Sequence, residues 1–159
     1  MRIGVTSDLH GYLPEIEPCD ILCICGDICP TANHSIEFQG IWLKNEFKNW
    51  CNNLPTERIV LVAGNHDFIF EKGNHKYISP LSHKVLYLEN KSETLKFWTY
   101  DQTIKIFGTP YCKQFGNWAF MKDSKTLENK YSEIPDDVDI LLSHDAPMLI
   151  DAGVILDSN

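Results

Sequence analysis

Nine residues, Ile59-Val60-Leu61-Val62-Ala63-Gly64-Asn65-His66-Asp67, take the chain from an apolar run straight into a polar turn. A short run of apolar and β-branched residues is typical of a strand that is buried on both faces. Glycine at the end of such a strand leaves the backbone free to turn sharply. We therefore expect a buried strand whose carboxyl end presents an amide, an imidazole and a carboxylate.

The same arrangement occurs three more times along the chain. Ile3-Gly4-Val5-Thr6-Ser7 leads into Asp8-Leu9-His10-Gly11, Ile21-Leu22-Cys23-Ile24-Cys25 leads into Gly26-Asp27, and Ile140-Leu141-Leu142 leads into Ser143-His144-Asp145. In open α/β sheets, ligands gather beyond the carboxyl ends of the strands. The four motifs therefore predict a sheet that delivers oxygen and nitrogen ligands to a single edge.

The rest of the chain predicts one α/β (α+β) domain over residues 1–159. A helix is predicted over 35–52, because its apolar residues recur at steps of four and three along one stripe. The strand–helix–strand order around it favours a right-handed parallel crossover. The other predicted elements are strands at 2–6, 20–25, 58–63, 85–89 and 139–142, a hairpin over 94–107 and a helix over 122–131. We expect a mixed sheet, or two packed sheets, with helices outside.

The composition limits the classes of partner. The 159 residues suffice for one domain with a real core. A formal net charge of -8, from 14 Lys+Arg against 22 Asp+Glu, argues against bulk nucleic acid, which needs clustered Lys and Arg. No apolar run reaches the roughly 20 residues of a membrane span, and the first residues resemble a strand rather than a signal peptide. We expect a cytoplasmic protein with no membrane partner.

The six cysteines are interpreted as reduced core thiols. They are Cys19, Cys23, Cys25, Cys29, Cys51 and Cys112. A zinc site and disulfides are the alternatives, and the zinc site is disfavoured because no pair of Cys-x-x-Cys spacings occurs.

The polar residues after the four strands have the chemistry of metal ligands. Asp8 and His10 are two residues apart, so both side chains project the same way if the strand continues. Asp27 has two oxygens with which to bridge two cations, Asn65 offers an amide oxygen, and His144 offers an imidazole nitrogen. This mixed set suits Mn, Fe or Zn better than Mg. We therefore expect two divalent ions as cofactors.

In this order, the motifs resemble the calcineurin-like metallophosphoesterase superfamily. The family pattern is Asp-x-His, Gly-Asp, Gly-Asn-His-Asp/Glu, a later His and then Gly-His-x-His. This chain has Asp8-Leu9-His10, Gly26-Asp27, Gly64-Asn65-His66-Asp67 and Ser143-His144-Asp145. The resemblance spans almost the whole chain. The turn Gly108-Thr109-Pro110, followed by Trp118, is most similar to a small branch whose members are phosphodiesterases.

The resemblance implies a role for each motif residue. The implied metal ligands are Asp8, His10, Asp27, Asn65 and His144, of which the first two bind one ion, the last two bind the other, and Asp27 bridges both. His66 would face the substrate beside Asn65, where it polarises the phosphate or protonates the leaving alkoxide. Asp67 would orient the imidazole of His66. The implied catalytic residues are thus His66 and Asp67, and the substrate-binding residues are Asn65 and His66.

The implied activity is that of a hydrolase, a dinuclear metal-dependent phosphoesterase that acts on diesters in preference to monoesters. A metal-bridging hydroxide would attack phosphorus between two cations roughly 3.5–4 Å apart. The partner would be a small phosphoester or a nucleotide, with Tyr111 and Trp118 as candidates to stack a base. The alternative is a catalytically weak or inactive truncated domain that acts as a metal-binding, nucleotide-binding or interaction module.

The chain departs from the family pattern after His144, since no Gly-His-x-His follows. Three explanations stay open: the domain is C-terminally truncated, a partner or second copy supplies the segment, or another residue replaces it. The spare histidines are His34, His75 and His83, and His34 is the best placed because it follows the Gly26-Asp27 loop. A missing terminal strand would expose a sheet edge and favour a homodimer.

Overall fold

Four parallel strands carry three of the four motifs. They are β1 (Ile3–Thr6), β2 (Cys19–Cys25), β3 (Thr56–Val62) and β4 (Val85–Tyr87), paired in the order β1-β2-β3-β4. The computed structural model describes residues 1–73 and 82–146. Each of these strands lies where the sequence predicts it, with small differences at the ends. The central strands β2 and β3 are buried on both faces, which explains their almost continuous apolar sequences.

The crossover between β2 and β3 is helical but not one regular helix. α1 (Ile36–Trp42) passes into a π-helical turn (Leu43–Phe47) and then into α2 (Lys48–Asn53). Ser35 is the N-cap, and its hydroxyl accepts the backbone N–H of Phe38. The expectation of a single α-helix is therefore corrected. Leu43, Phe47 and Cys51 are four residues apart and are all fully buried. A spacing of four is slightly more than one α turn and slightly less than one wider π turn, so mixing the two turn types keeps these side chains on one face.

A second, smaller sheet supplies the fourth motif. It contains β5 (Lys91–Phe97), β6 (Gln102–Thr109) and β9 (Ile140–Ser143) in the order β5-β6-β9. β5 and β6 form the predicted antiparallel hairpin, and β9 runs parallel to β6. The remaining elements are the two-residue strands β7 (Cys112–Lys113) and β8 (Met121–Lys122) and the helices α3 (Phe68–Glu71) and α4 (Ser124–Tyr131). α4 begins later than predicted because Asp123 caps it.

Alternate residues of β2 and β3 belong to two separate cores. On one face of the parallel sheet, Leu22 and Leu61 share a core with Phe47 of the helical crossover. On the other face, Val60 shares a core with Leu142 of the second sheet. Helices thus cover one face of the parallel sheet and the second sheet covers the other. This arrangement confirms the predicted α/β class of two packed sheets flanked by helices.

The cysteines and the helices bear on two predictions drawn from composition. All six cysteines are free. Burial raises the pKa of the Cys51 thiol to about 12, so this side chain behaves as a protonated, apolar group. These observations agree with the interpretation of the cysteines as thiols rather than disulfides. Among residues 1–73 and 82–146, no helix combines the length and the apolar character needed to cross a membrane.

Candidate functional site

The carboxyl ends of β1, β2, β3 and β9 meet at one edge of the molecule. In the parallel register, Thr6 lies beside Ile24 and Cys25 lies beside Val62, so three motifs start from neighbouring points. β9 brings the fourth motif to the same place, because the ring of His144 reaches the backbone carbonyl of Cys25. The structure therefore brings together side chains from four separate parts of the sequence.

Asp8, His10 and Asp27 form the first ligand cluster. One ligand atom from each lies within 4.8 Å of the others. The Nε2 of His10 is 3.7 Å from Oδ2 of Asp27 and 4.0 Å from Oδ1 of Asp8. All three residues have positive φ, at 52°, 45° and 51°, which non-glycine residues seldom adopt and which surrounding structure must enforce. Here the backbone N–H of Asp8 donates to Gly26 O at 3.0 Å, and that of His10 donates to Asp27 O at 2.8 Å.

Asp27, Asn65 and His144 form a second cluster of candidate ligands. The Nδ1–H of His144 donates to the carbonyl of Cys25 at 2.9 Å, which fixes the tautomer and leaves a lone pair on Nε2. That Nε2 is 3.0 Å from Oδ1 of Asn65 and 3.5 Å from Oδ1 of Asp27. Three atoms that carry lone pairs therefore face one another. Such a donor set fits a divalent cation.

Asp27 belongs to both clusters, and its two oxygens serve different sides of the site. Oδ2 lies toward His10, at 3.7 Å from its Nε2. Oδ1 lies toward His144 and also accepts the backbone N–H of His66 at 2.8 Å. The Asp27 side chain is only 5% exposed. A buried carboxylate with its oxygens directed at two ligand sets is the group that can bridge two ions.

Two glycines make this close approach possible. A Cβ at Gly26 would collide with the ring of His144, and a Cβ at Gly64 would collide with Asp27. Gly26 has a φ of +96°, as the sharp turn predicted after β2 requires. The role of Gly64 is different from the predicted turn. It removes the atoms that would otherwise separate the backbone of one motif from the side chain of another.

His66 lies where the two clusters meet, and its ring is held by His34. The Nδ1 of His66 is 2.9 Å from Nε2 of His34, and the two rings stack with centroids 5.1 Å apart. The other nitrogen, Nε2, is 4.0 Å from Oδ2 of Asp27. Burial lowers the pKa of His66 below its ordinary value, and nearby histidines lower it further, whereas Asp27 acts in the opposite direction. A neutral imidazole is thus favoured beside a carboxylate.

Asp67 was predicted to orient the imidazole of His66, but its carboxylate contacts backbone N–H groups instead. Its oxygens accept backbone N–H groups from Ile28, Cys29 and Gly64 at 2.8–3.1 Å, and the residue is completely buried. Burial raises the pKa of Asp67, and these hydrogen bonds offset part of the increase. The expected role is therefore corrected to a structural one. The carboxylate ties the loop after β3 to the loop after β2, because each loop has backbone donors that need a buried acceptor.

Sequence reasoning missed Gln39, which holds the same loop from the helical side. Its Nε2 donates to the carbonyl of His66 at 2.7 Å, and its Oε1 accepts the N–H of Ile69 at 3.0 Å. Gln39 is fully buried. The signal was present in the sequence as a polar residue beside the apolar stripe of α1, since buried polar side chains are retained where their hydrogen bonds are satisfied.

The spare histidines divide clearly. His34 lies in the site against His66, whereas His83 is exposed and precedes β4, at the opposite edge of the sheet. His75 lies outside the described residues, as does the segment 147–159 on which the predicted truncation depends.

The two aromatic candidates for base stacking also divide. The Trp118 ring lies 4.5 Å from the His66 ring, centroid to centroid, and Trp118 is 38% exposed. Tyr111 instead packs against Phe120 and lies 3.5 Å from a carboxylate oxygen of Glu89. Only Trp118 of this pair is therefore placed beside the clustered ligands.

A family model for calcineurin-like phosphoesterases matches residues 1–152. The chain belongs to the calcineurin-like phosphoesterase family. Members are metal-dependent phosphohydrolases, and the Asp8, His10 and Asp27 cluster is a candidate metal site of that kind.

Three relatives are similar to this chain over most of its length. The chain is 29% identical over 153 residues to a probable rhamnogalacturonate lyase C of Emericella nidulans. The aligned region covers 92% of this chain and 14% of that protein. It is 25% identical to the human metallophosphoesterase domain-containing protein 1, over 92% of this chain and 49% of that protein. A UPF0046 protein of Caenorhabditis elegans is 28% identical, over 88% of this chain and 50% of that protein. The chain thus spans half or less of the length of these relatives.

Proposed function

We propose that this chain is a dinuclear metal-dependent phosphodiesterase. The observation that supports it most is the position of Asp27 between two ligand sets. Asp8 and His10 lie on one side of the carboxylate, and Asn65 and His144 lie on the other. The mixed carboxylate, amide and imidazole donors suit Mn, Fe or Zn, and Mg less well. We choose manganese as the first ion to test.

The residues around the ligand sets suit cleavage of a phosphoester. When bound, two divalent ions would neutralise the charge of the phosphate and lower the pKa of a water molecule between them. His66 presents Nε2 toward the same place as Asp27 Oδ2. From there it would hold a proton at the leaving oxygen while the bond from that oxygen to phosphorus breaks. Asn65 lies beside it and would orient the phosphate.

The surroundings of the site favour a small diester or a nucleotide as substrate. Trp118 offers an aromatic face beside His66, where a planar leaving group or base would stack. The net charge of -8 disfavours long nucleic acids, which bind through many lysine and arginine contacts. The negative net charge does not disfavour a small anion that is held by bound cations, because the ions reverse the local charge.

The decisive assay compares bis-p-nitrophenyl phosphate with p-nitrophenyl phosphate at several manganese concentrations, with and without chelator. We expect chelator-sensitive turnover that is faster on the diester. Asn65→Ala should abolish it, because the second ligand set loses its amide oxygen. Asn129→Ala, in the exposed part of α4, is the matched control and should retain full turnover. Absence of turnover at every metal concentration would favour the interaction module instead.

One observation keeps the homodimer as a second proposal. β1 lies at one end of the strand order, and within the described residues it pairs on one side only, with β2. Val5 on this strand is 71% exposed and Ile3 is 40% exposed. An exposed, apolar edge strand invites pairing with another chain. Sedimentation equilibrium of the wild type and of Val5→Lys tests this, and identical monomer masses in both would reject the dimer.

A further inference from the structure

We propose that His34 is a positioning residue for His66. This inference rests on the proposed function, because it concerns how His66 is presented to a phosphoester. His34 would act through the second nitrogen of the His66 ring and would not contact the reacting atoms itself. Its ring would set the angle at which Nε2 of His66 meets the leaving oxygen.

His34 is held firmly enough to act in this way. It directly precedes Ser35, the N-cap of α1, whose backbone N–H donates to Oδ1 of Asn33 at 2.8 Å. Its ring also lies edge-on to Phe68 and to Trp118, each with centroids 5.4 Å apart. Aromatic contacts of this geometry stabilise ring orientation. The imidazole that bonds His66 is thus fixed by the start of a helix and by two aromatic side chains.

The hydrogen bond from His34 determines how His66 is presented. An imidazole free to rotate about its side-chain bonds would place Nε2 in several directions. The bond of 2.9 Å between Nδ1 of His66 and Nε2 of His34 selects the orientation in which the opposite nitrogen lies near Asp27. Orientation of a reacting group matters steeply, since a displacement of about 1 Å can cost on the order of 100-fold in rate.

No other residue in the described structure is placed to share this task. The neighbouring carboxylate, Asp67, is occupied by backbone N–H groups of the two adjoining loops. The rings of His10 and Trp118 contact His66 by edge-on and tilted packing rather than through Nδ1. His34 therefore has the place that a carboxylate would have in a His–Asp pair, with a ring nitrogen as the bonding atom.

Three variants of His34 separate hydrogen bonding from packing. In His34→Gln, the amide reaches the position of the original Nε2 and can restore the bond. In His34→Asn, the same amide is one methylene shorter and falls short of His66. His34→Phe keeps an aromatic ring against Phe68 and Trp118 but has no group to bond Nδ1. His83→Asn, at the exposed histidine before β4, is the control for loss of a histidine.

The kinetic readout is the split between kcat and KM on a diester, with manganese binding measured in parallel by calorimetry. We expect His34→Phe and His34→Asn to lower kcat roughly 10- to 100-fold, because a displacement of a reacting group by about 1 Å can cost on the order of 100-fold in rate. Their KM and manganese affinity should change little, and His34→Gln should recover most of kcat. Equal kcat in the Gln, Asn and Phe variants would overturn the proposal.

A second readout does not depend on activity. In the metal-free protein labelled with 15N, a scalar coupling across the hydrogen bond should join Nε2 of His34 to Nδ1 of His66. Its absence from a folded wild-type protein would also overturn the proposal. If the wild type cleaves no phosphoester, the proposed function fails by itself. The coupling still decides whether His34 holds His66.

Discussion

The two ligand clusters around Asp27 are built in different ways. In the first, the side chains of Asp8 and His10 are 58% and 36% exposed, and their positions come from two adjoining turns. In the second, the side chain of His144 is 9% exposed, its Nδ1–H donates to the Cys25 carbonyl, and its Nε2 lies 3.0 Å from Oδ1 of Asn65. The first cluster is thus fixed mainly through its backbone, and the second through its side chains.

This difference indicates which part of the site is ready before an ion arrives. The second cluster depends on the packing of β9 against β6 and on a hydrogen bond to Cys25, so its geometry is set by folding. Side chains held in this way lose little further freedom on binding. Asp8 and His10 keep more freedom in solvent and would order as the ion binds. Each of the following experiments acts on one side of this comparison or on the residue that both sides share.

The largest effect is expected at the shared residue. Asp27→Asn removes the charge that serves both clusters, so we expect calorimetry with manganese to show loss of both bound ions. Turnover should fall by a factor of roughly 1000 or more, which corresponds to a loss of several kcal/mol of transition-state stabilisation. Asp136→Asn removes an exposed carboxylate elsewhere and should change neither quantity. Two tight ions in Asp27→Asn would show that the clusters bind independently of their common member.

The next effect separates the two clusters. His144→Ala and His10→Ala each remove one imidazole, and each should reduce the stoichiometry from two ions to one. We expect a loss of turnover on the order of 100-fold in both variants. The unfolding temperature without metal should fall only in His144→Ala, because the His144 ring is buried and donates a hydrogen bond to the Cys25 carbonyl, whereas the His10 ring is partly exposed. Equal melting temperatures would contradict the claim that folding builds the second cluster.

A smaller effect concerns the loop that joins the clusters. Asp67→Asn replaces an acceptor of three backbone N–H groups by a side chain with an N–H2 of its own. We expect the free energy of unfolding to drop by about 1–3 kcal/mol, the cost of leaving a buried donor without a partner. Urea unfolding measures it. If Asp67 oriented His66 instead, kcat would fall with little change in stability.

The smallest effect is a dependence of stability on pH in the metal-free protein. The pKa of His66 lies below its ordinary value of 6.5, because burial and the neighbouring histidines disfavour the cation. Between the two values the unfolded chain binds more protons than the folded one, so stability present above about pH 6.5 is lost as the pH falls toward the lowered pKa. Melting temperatures from pH 8 to pH 5 should decrease less in His66→Asn. If the melting temperatures of the wild type and of His66→Asn changed equally with pH, His66 would not be the source of the pH dependence.

Much of the fold was predictable because its signals are local. The apolar runs of β2 and β3 and the turn glycine after β2 are read from neighbouring residues, and both lie as predicted. The π-helical turn over 43–47 was missed, since the choice between α and π hydrogen bonding depends on what the helix packs against. The paired strands β7 and β8 were also missed, because two residues carry no periodicity.

The candidate site divides in the same way. The ligand types were predicted because each motif carries its own chemistry. The partner of His66 was assigned to Asp67, its neighbour in sequence, whereas the structure places His34 there, 32 residues away. Gln39 acts on the same loop from 27 residues away. Contacts of this span depend on how the helical crossover lies over the sheet, which no local pattern records.

The amino-acid sequence by itself determined which segments are strands and helices and which side chains can bind a cation. It did so because propensity, hydrophobic period and ligand chemistry are properties of residues and their near neighbours. The tertiary structure alone decided that His34 bonds His66 and that Gln39 holds the loop after β3. The physical reason is that these distances are set by strand register and by the packing of one sheet on another, which bring distant residues within a few ångströms.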